Sequence, residues 1–201
     1  MHPIPEYSTL AVGQLFFWSN YDPKVKYECS CSALVTSAGL IFIDPLPLAQ
    51  ETLTQLLSKA AVLPAAILLT NANHQRDSLQ LAEKLSIPIY APIETKKEIV
   101  ATFYFEPDEK ILGLQSFDLS GFGLGETAFL DEEKNILILG DAVTNAGSEG
   151  LLILPKKYCE NSRLAMKSLQ KLKKIAPLIL LTAHGIPVTT SAAKKLQALL
   201  C

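Results

Sequence analysis

Side chains that could do chemistry collect in one loop and at two strand ends. The loop reads Thr70-Asn71-Ala72-Asn73-His74-Gln75-Arg76-Asp77-Ser78 and follows a short apolar run, residues 66–69. The strand ends are Gly140-Asp141-Ala142 and Ala183-His184-Gly185, each closing another apolar run. Asp141 and His184 form the pair with the most chemistry. A carboxylate that orients an imidazole makes a general base for water, and the same donor types can hold a divalent ion. No Gly-x-Ser-x-Gly elbow supplies a serine nucleophile. In the loop, His74 adds an imidazole, while Asp77 and Ser78 read first as caps of a following helix. Cys29 and Cys31 stand two apart in a strand-like run and share a face. No C-x-x-C partner accompanies them, so the four cysteines read as packed or half-buried free thiols. His2 has no chemical context and is expected in solvent.

The elements that position these groups follow from periodicity and turn residues. Residues 10–18, 31–36 and 40–43 read as strands, with Ser37-Ala38-Gly39 as a hairpin turn. Asp44-Pro45 and Pro47 end the third run, because proline cannot donate to a ladder. A helix is predicted over 49–60, with Leu53, Leu56 and Leu57 at helical spacing. Strand 66–69, the polar loop, a helix over 78–85 and a strand at 88–90 then read as a βαβ unit. In that second helix Leu81 and Leu85 share a face, with Leu79 and Ala82 beside them. A helical piece near 94–100 closes the half.

The second half repeats the plan. Strands are predicted at 111–114, 115–119, 126–130 and 135–139, with Asp131-Glu132-Glu133-Lys134 as a turn. A loop over 141–155 precedes a long helix over 159–175, with Leu164, Leu169 and Leu172 inward. Lys167, Lys171, Lys173 and Lys174 read as its solvated face. A strand at 178–182 and a helix over 190–200 end the chain. Strands followed by a β/α portion, twice over, predict an α/β (α+β) fold. Its architecture is a four-layer αββα sandwich of two mixed β-sheets with helices on both outer faces.

Composition narrows the function classes. The net charge of −2 argues against nucleic-acid binding. No apolar run reaches the roughly 18 residues of a membrane span. Residues 1–6 lack a basic n-region and an apolar h-region, so a cytoplasmic location is expected. Hydrophobic residues make up 49%, enough for a buried core in one domain over residues 1–201.

Five segments, in order, resemble the metallo-β-lactamase superfamily, the fold of glyoxalase II-type thioesterases and other metal-dependent hydrolases. Cys31-Ser32-Ala33-Leu34-Val35 with Leu40-Ile41-Phe42-Ile43-Asp44 resembles its opening hairpin. Ile67-Leu68-Leu69-Thr70 leads into the slot of the His-x-His-x-Asp-His motif. Gly121-Phe122-Gly123-Leu124-Gly125-Glu126 stands where the family has Gly-His-Thr-x-Gly. Residues 135–142 and 180–185 match the last two ligand strands. The resemblance spans roughly residues 8–198 and implies a cleft at one sandwich edge that holds one or two metals, commonly zinc.

Carried over position by position, Asn71 and Asn73 replace the first two histidines and Gln75 the aspartate. Arg76 replaces the motif's last histidine, and Phe122 the histidine of the glycine-rich loop. Asp141 and His184 remain, so five of seven ligand positions are substituted. Amides are weak zinc donors, phenylalanine has none, and arginine is cationic without a lone pair. The resemblance therefore implies a degenerate site with no metal cofactor in the normal arrangement. Asn71, Asn73, Gln75, Arg76 and Phe122 are expected to line the old cleft. One expectation is that Arg76 pairs with Asp141 in the metal's structural place, helped by Asn71 and Asn73; the alternative turns Arg76 into solvent. In the family register His74 faces away from the ligands. A shifted register would instead make a mononuclear zinc or other divalent site from Asp141 and His184 with His74 and Asp77. Asp141 and His184 are the catalytic candidates of an ester or thioester hydrolase under that alternative. Otherwise the cleft binds a small molecule or a protein, or the chain serves as a non-catalytic subunit, a homodimer being one candidate assembly.

Overall fold

The structure is a computed structural model that describes residues 8–10 (backbone only), 14–23, 26–145 and 150–201. His2, the chain start and the Gly147-Ser148 part of the loop after Asp141 lie outside the described residues. One sheet holds β1 (Ser8–Leu10), β2 (Leu15–Asp22), β3 (Tyr27–Thr36), β4 (Gly39–Ile43), β5 (Pro64–Leu68), β6 (Ile89–Pro92) and β7 (Phe103–Phe105), in chain order. It is antiparallel from β1 to β4 and parallel from β4 to β7. The second sheet is built from β8 (Lys110–Ile111), β9 (Leu114–Asp118), β10 (Thr127–Asp131) and β11 (Ile136–Leu139). After a small ribbon of β12 (Val143–Thr144) and β13 (Leu152–Ile153), β14 (Ile179–Thr182) joins β11 in parallel.

Side-chain alternation along these strands makes the layers. Phe16 and Trp18 of β2 and Leu40 and Phe42 of β4 pack toward α1 (Gln50–Ala60) and α2 (Ser78–Leu85). Their neighbours Leu15, Phe17, Ile41 and Ile43 face the other way and meet Phe129, Ile136, Ile138 and Leu181 of the second sheet. On that sheet's outer face Ala128, Leu137, Leu139 and Leu180 pack against α3 (Ser162–Leu169) and α4 (Ala192–Leu200). The order is helix, sheet, sheet, helix, as the αββα expectation required.

Several local expectations are corrected. The run at 10–18 is not one strand, because Leu10 and Leu15 belong to separate antiparallel strands and stand opposite each other. Residues 111–114 form a turn, with Leu112 (φ 54°) and Gly113 (φ 88°) both left-handed, as a two-residue hairpin loop demands. The piece near 94–100 is a 3-10 turn over Ile93–Lys97, and Phe103–Phe105 is a strand the pattern did not reveal. The long helix starts three residues late because Asn161, extended at φ −146°, caps it by accepting from Leu164 N. It gives way to a 3-10 turn over Gln170–Lys174. The buried face is then Ala165, Ser168, Leu169 and Leu172, which turns Leu164 outward. Leu79 is exposed for the same reason of phase. Lys171 is not simply solvated: it bridges Asp108 at 2.8 Å and Asp118 at 3.3 Å.

All four cysteines are free; Cys29 and Cys31 are buried, Cys159 is half-buried and Cys201 is exposed. Cys31 Sγ accepts from Leu46 N at 3.3 Å, and burial pushes its thiol well above the usual range.

Candidate functional site

The polar groups meet at one edge of the sandwich because two parallel strand pairs, β4 with β5 and β11 with β14, end there. Asp44 follows β4, the Thr70–Arg76 turn follows β5, Gly140-Asp141 follows β11, and His184 lies two residues past β14. The two sheets are tied at this edge by Thr127 N→Thr70 O (2.8 Å), Ala72 N→Leu124 O (3.0 Å) and Ser30 N→Ala183 O (2.7 Å).

The central feature is a chain of alternating carboxylates and imidazoles. Asp44, buried and at φ 49°, accepts from Thr70 N at 2.9 Å and from Thr70 Oγ1 at 2.6 Å. Its Oδ2 also lies 2.9 Å from His74 Nδ1. His74 Nε2 lies 3.2 Å from Asp141 Oδ1, and the same oxygen is 3.0 Å from His184 Nε2. His184 Nδ1 is 3.0 Å from the Glu28 carbonyl, and its ring meets Tyr27 edge-on. Asp141 Oδ2 accepts from Asn71 Nδ2 (3.2 Å) and Asn73 Nδ2 (3.4 Å). Asn71 Nδ2 also donates to Glu126 Oε2 at 2.7 Å, and Glu126 Oε1 accepts from Ala142 N at 2.8 Å.

Both nitrogens of both rings face acceptor oxygens, which suits the doubly protonated imidazolium. The titration directions agree. Burial and the Arg76 charge press His74 down, but Asp141 and Asp44 outweigh them and lift it to about 9. Burial likewise opposes the charge on His184, and its bond to Asp141 leads the contacts that raise it to about 9. Burial would raise Asp141, yet the two histidines hold it well below the usual carboxylate range. Glu126 goes the other way: burial first, then the Asp141 charge, push it up to about 8. The directions favour a carboxylate at Asp141 between two imidazolium rings, and they favour the protonated form of Glu126 more than its ordinary value would, against the two N–H bonds that its oxygens accept.

Arg76 is not the partner of Asp141. Its Nη1 donates to Ser30 O (2.7 Å) and Asp44 O (3.0 Å), and its Nη2 to Ala183 O (3.4 Å). The Arg76 backbone is left-handed, at φ 40°, and its side chain reaches these three carbonyls. The two histidines, already within reach of Asp141, take the role expected of the arginine. His74 does not face away either: the 3-10 turn Ala72–His74, begun when Asn71 Oδ1 accepts from Asn73 N, swings it inward. Asp77 stays outside the cluster and makes no side-chain cap, and Ser78 Oγ, buried, has no partner among the described residues. Gln75 leaves the cleft to bond Val100 O at 2.9 Å. Phe122 is fully buried on the α3 side. Of the expected positions, Asn71, Asn73, His74, Asp141 and His184 come together; Gln75, Arg76, Asp77 and Phe122 do not. Asp44, Thr70 and Glu126 are participants that the residue pattern did not single out. For Asp44 and Glu126 the signal was a charged group at the end or start of an apolar strand, which a buried partner must answer; Thr70 carried no such signal.

Close approach at this edge needs Gly140. A Cβ there would stand 2.7 Å from Thr70 Oγ1 and 2.8 Å from Glu126 Oε1. Gly140→Ala is expected to cost about 1–3 kcal/mol, measured by urea unfolding, because both contacts are held by hydrogen bonds.

With this geometry in hand, the comparisons are decisive about ancestry. Residues 8–201 match the family described as the metallo-beta-lactamase superfamily. The chain belongs to that superfamily. No curated protein matches the sequence. Among solved structures, DIM-1 metallo-beta-lactamase is 17% identical, covers 100% of this chain and 98% of its own, and has a TM-score of 0.76. A metallo-beta-lactamase from Hirschia baltica is 13% identical with a TM-score of 0.73, covering 98% of this chain and 96% of that one. TTHA1623 in a di-iron-bound form is 24% identical with a TM-score of 0.66, covering 86% and 93%. These likenesses concern the metallo-β-lactamase fold.

Three of the described residues of this metallo-β-lactamase-fold chain could hold one metal ion between them. Among the described residues, His74, Asp141 and His184 are the group whose donor atoms lie within 4.8 Å of one another. Asp141 is already hydrogen-bonded to His184 and lies 3.2 Å from His74 Nε2, and Asn71 and Asn73 turn N–H groups toward it. One divalent ion would find three ligands there only after both rings lose a proton. No helix among the described residues is long and apolar enough to cross a membrane.

Proposed function

We propose that this metallo-β-lactamase-fold protein works without the family's dinuclear hydrolysis, as a non-catalytic binder of a small molecule or protein at the degenerate cleft. The observation that carries the reading is Asp141 Oδ1 lying 3.2 Å from His74 Nε2 and hydrogen-bonded to His184 Nε2 at 3.0 Å. Two protonated rings provide around one carboxylate the positive charge that a metal would otherwise supply. The same protonation argues against Asp141 and His184 acting as a general-base pair near neutral pH, since a ring titrating at about 9 has no free lone pair there.

Purified protein is expected to hold no stoichiometric zinc, iron or manganese and to melt at the same temperature with and without chelator. A second reading rests on the three donor atoms within 4.8 Å: His74, Asp141 and His184 would hold one divalent ion, which would supply Lewis-acid activation of water toward an ester or thioester-type bond. Stoichiometric metal that disappears in His184→Ala would favour that reading and overturn the first.

A further inference from the structure

Charge is distributed unevenly along this chain. Residues 150–201 hold nine of the 18 lysines and arginines, with Glu160 as their one acidic side chain, a formal balance of +8. The residues before them hold the other nine against nineteen acids, a balance of −10. The fold gathers the basic excess in one layer. Ala165, Leu169 and Leu172, and Ala192, Leu196 and Leu200, are buried against the outer face of the second sheet. The basic side chains of α3, α4 and the 3-10 turns Lys156–Tyr158 and Gln170–Lys174 are left on the outside, and all nine are exposed. Lys171 pairs with Asp108 and Asp118. The other eight have no carboxylate partner among the described residues. Like charges held together in this way repel, so an anionic surface laid over them gains both attraction and relief of that repulsion.

Apolar side chains stand among these cations. Tyr158 is 62% exposed, Leu164 42% and Met166 38%. Lys157 Nζ lies 4.6 Å from the Tyr158 ring, and Leu164 and Met166 are interleaved with Arg163 and Lys167 on α3. Lysine-rich helical surface with protruding apolar groups is the pattern of an element that lies on a membrane rather than across one. Nucleic acid is the poorer match. Of the nine cations only Arg163 can make a planar two-point contact with phosphate, and Tyr158 is the segment's one Phe, Tyr or Trp for base stacking. We propose that the outer layer of α3 and α4 docks on an anionic lipid surface. Its lysines lie among the headgroups, with Tyr158, Leu164 and Met166 at the acyl boundary. This surface is separate from the ionic chain and does not depend on what the cleft binds.

The test is co-sedimentation of the full chain with vesicles of phosphatidylcholine, either alone or with about one-third phosphatidylserine, in low salt. Binding is expected to the anionic vesicles only, and to fall steeply as added salt screens the charges. Each cation near such a surface is worth about fivefold in partition, so Lys167→Gln with Lys174→Gln should weaken binding roughly 25-fold. The same change at Lys59 and Lys84, exposed on the α1 and α2 layer, should leave binding as it was. Leu164→Ala with Met166→Ala should weaken it roughly tenfold, because those side chains enter the boundary. All these side chains are exposed, so an unchanged thermal melt verifies that each variant is folded. No binding to either vesicle, equal binding to both, or equal loss in the Lys59 and Lys84 variant overturns the proposal. Tighter binding to a DNA duplex, indifferent to Leu164 and Met166, would overturn it in favour of nucleic acid. Salt-sensitive self-association with no vesicle binding would overturn it in favour of the acidic remainder of a second copy.

Discussion

Asp141→Asn is expected to lower stability by about 3 kcal/mol near pH 6, or roughly 6–12 °C in melting temperature, and by much less at pH 9. Removing one partner of a buried ionic set leaves the others uncompensated, and Asp141 is shared by two imidazoles and two amides. The pH dependence follows from the direction of each shift. His74 and His184 rise from an ordinary 6.5 to about 9, so their contribution is complete below about pH 6.5 and is lost as pH climbs through 9. Glu126 rises from 4.5 to about 8, so ionising it in the folded protein costs stability over the same alkaline direction. Asp141 is depressed, so its contribution stands above its ordinary 3.8 and fades only as pH falls below that value. The natural protein should therefore melt highest at about pH 4–5, lose stability gradually above that as Glu126 would ionise only in the unfolded chain, and lose it more steeply between pH 6.5 and 9 as the histidine contribution fades. Asp141→Asn should flatten that alkaline decline, because the rings lose their main anion and Glu126 its like-charged neighbour. Thermal melts of both proteins across this range make the comparison. An equally steep alkaline decline in the variant would rule out Asp141 as the hub.

Arg76→Ala is expected to cost about 3 kcal/mol in urea unfolding, with Arg76→Lys recovering only part of it. The guanidinium serves carbonyls of Ser30 in β3, Asp44 after β4 and Ala183 after β14, and so joins both sheets at the site edge. Hydrogen bonds to a charged group contribute about 1.5–3 kcal/mol each at best, and the third here is long at 3.4 Å. Lysine has a point charge rather than a planar fork and cannot reach three divergent acceptors together. Full recovery in Arg76→Lys would mean that charge alone matters, through its field on His74. Arg76→Ala should leave the Asp141 contacts with His74 and His184 in place but remove a charge that presses His74 down, so the alkaline decline in melting temperature should persist and move to higher pH.

What the chain alone determined is its layering and the address of its site. Alternation in residues such as Leu15-Phe16-Phe17-Trp18 and Leu40-Ile41-Phe42-Ile43 assigns one set of side chains to the helices and the next to the opposite sheet, whatever the rest of the fold does. Asp141 and His184 were legible for a similar reason. Each closes a largely apolar run, and parallel pairing of those runs brings their ends together. What remained undecided was direction. Whether His74 or Arg76 turns toward Asp141 depends on a single 3-10 turn and on one left-handed backbone at Arg76, and neither leaves a periodic trace. The helix phase that exposes Leu164 turns on where Asn161 caps. The partners of Asp44 and Glu126 lie 16 to 55 residues away, so their roles exist only once distant strands have come together. Local pattern sets which residues are buried. Which buried charge meets which is decided by long-range geometry, because an ionic contact needs a few tenths of an ångström that burial patterns do not encode.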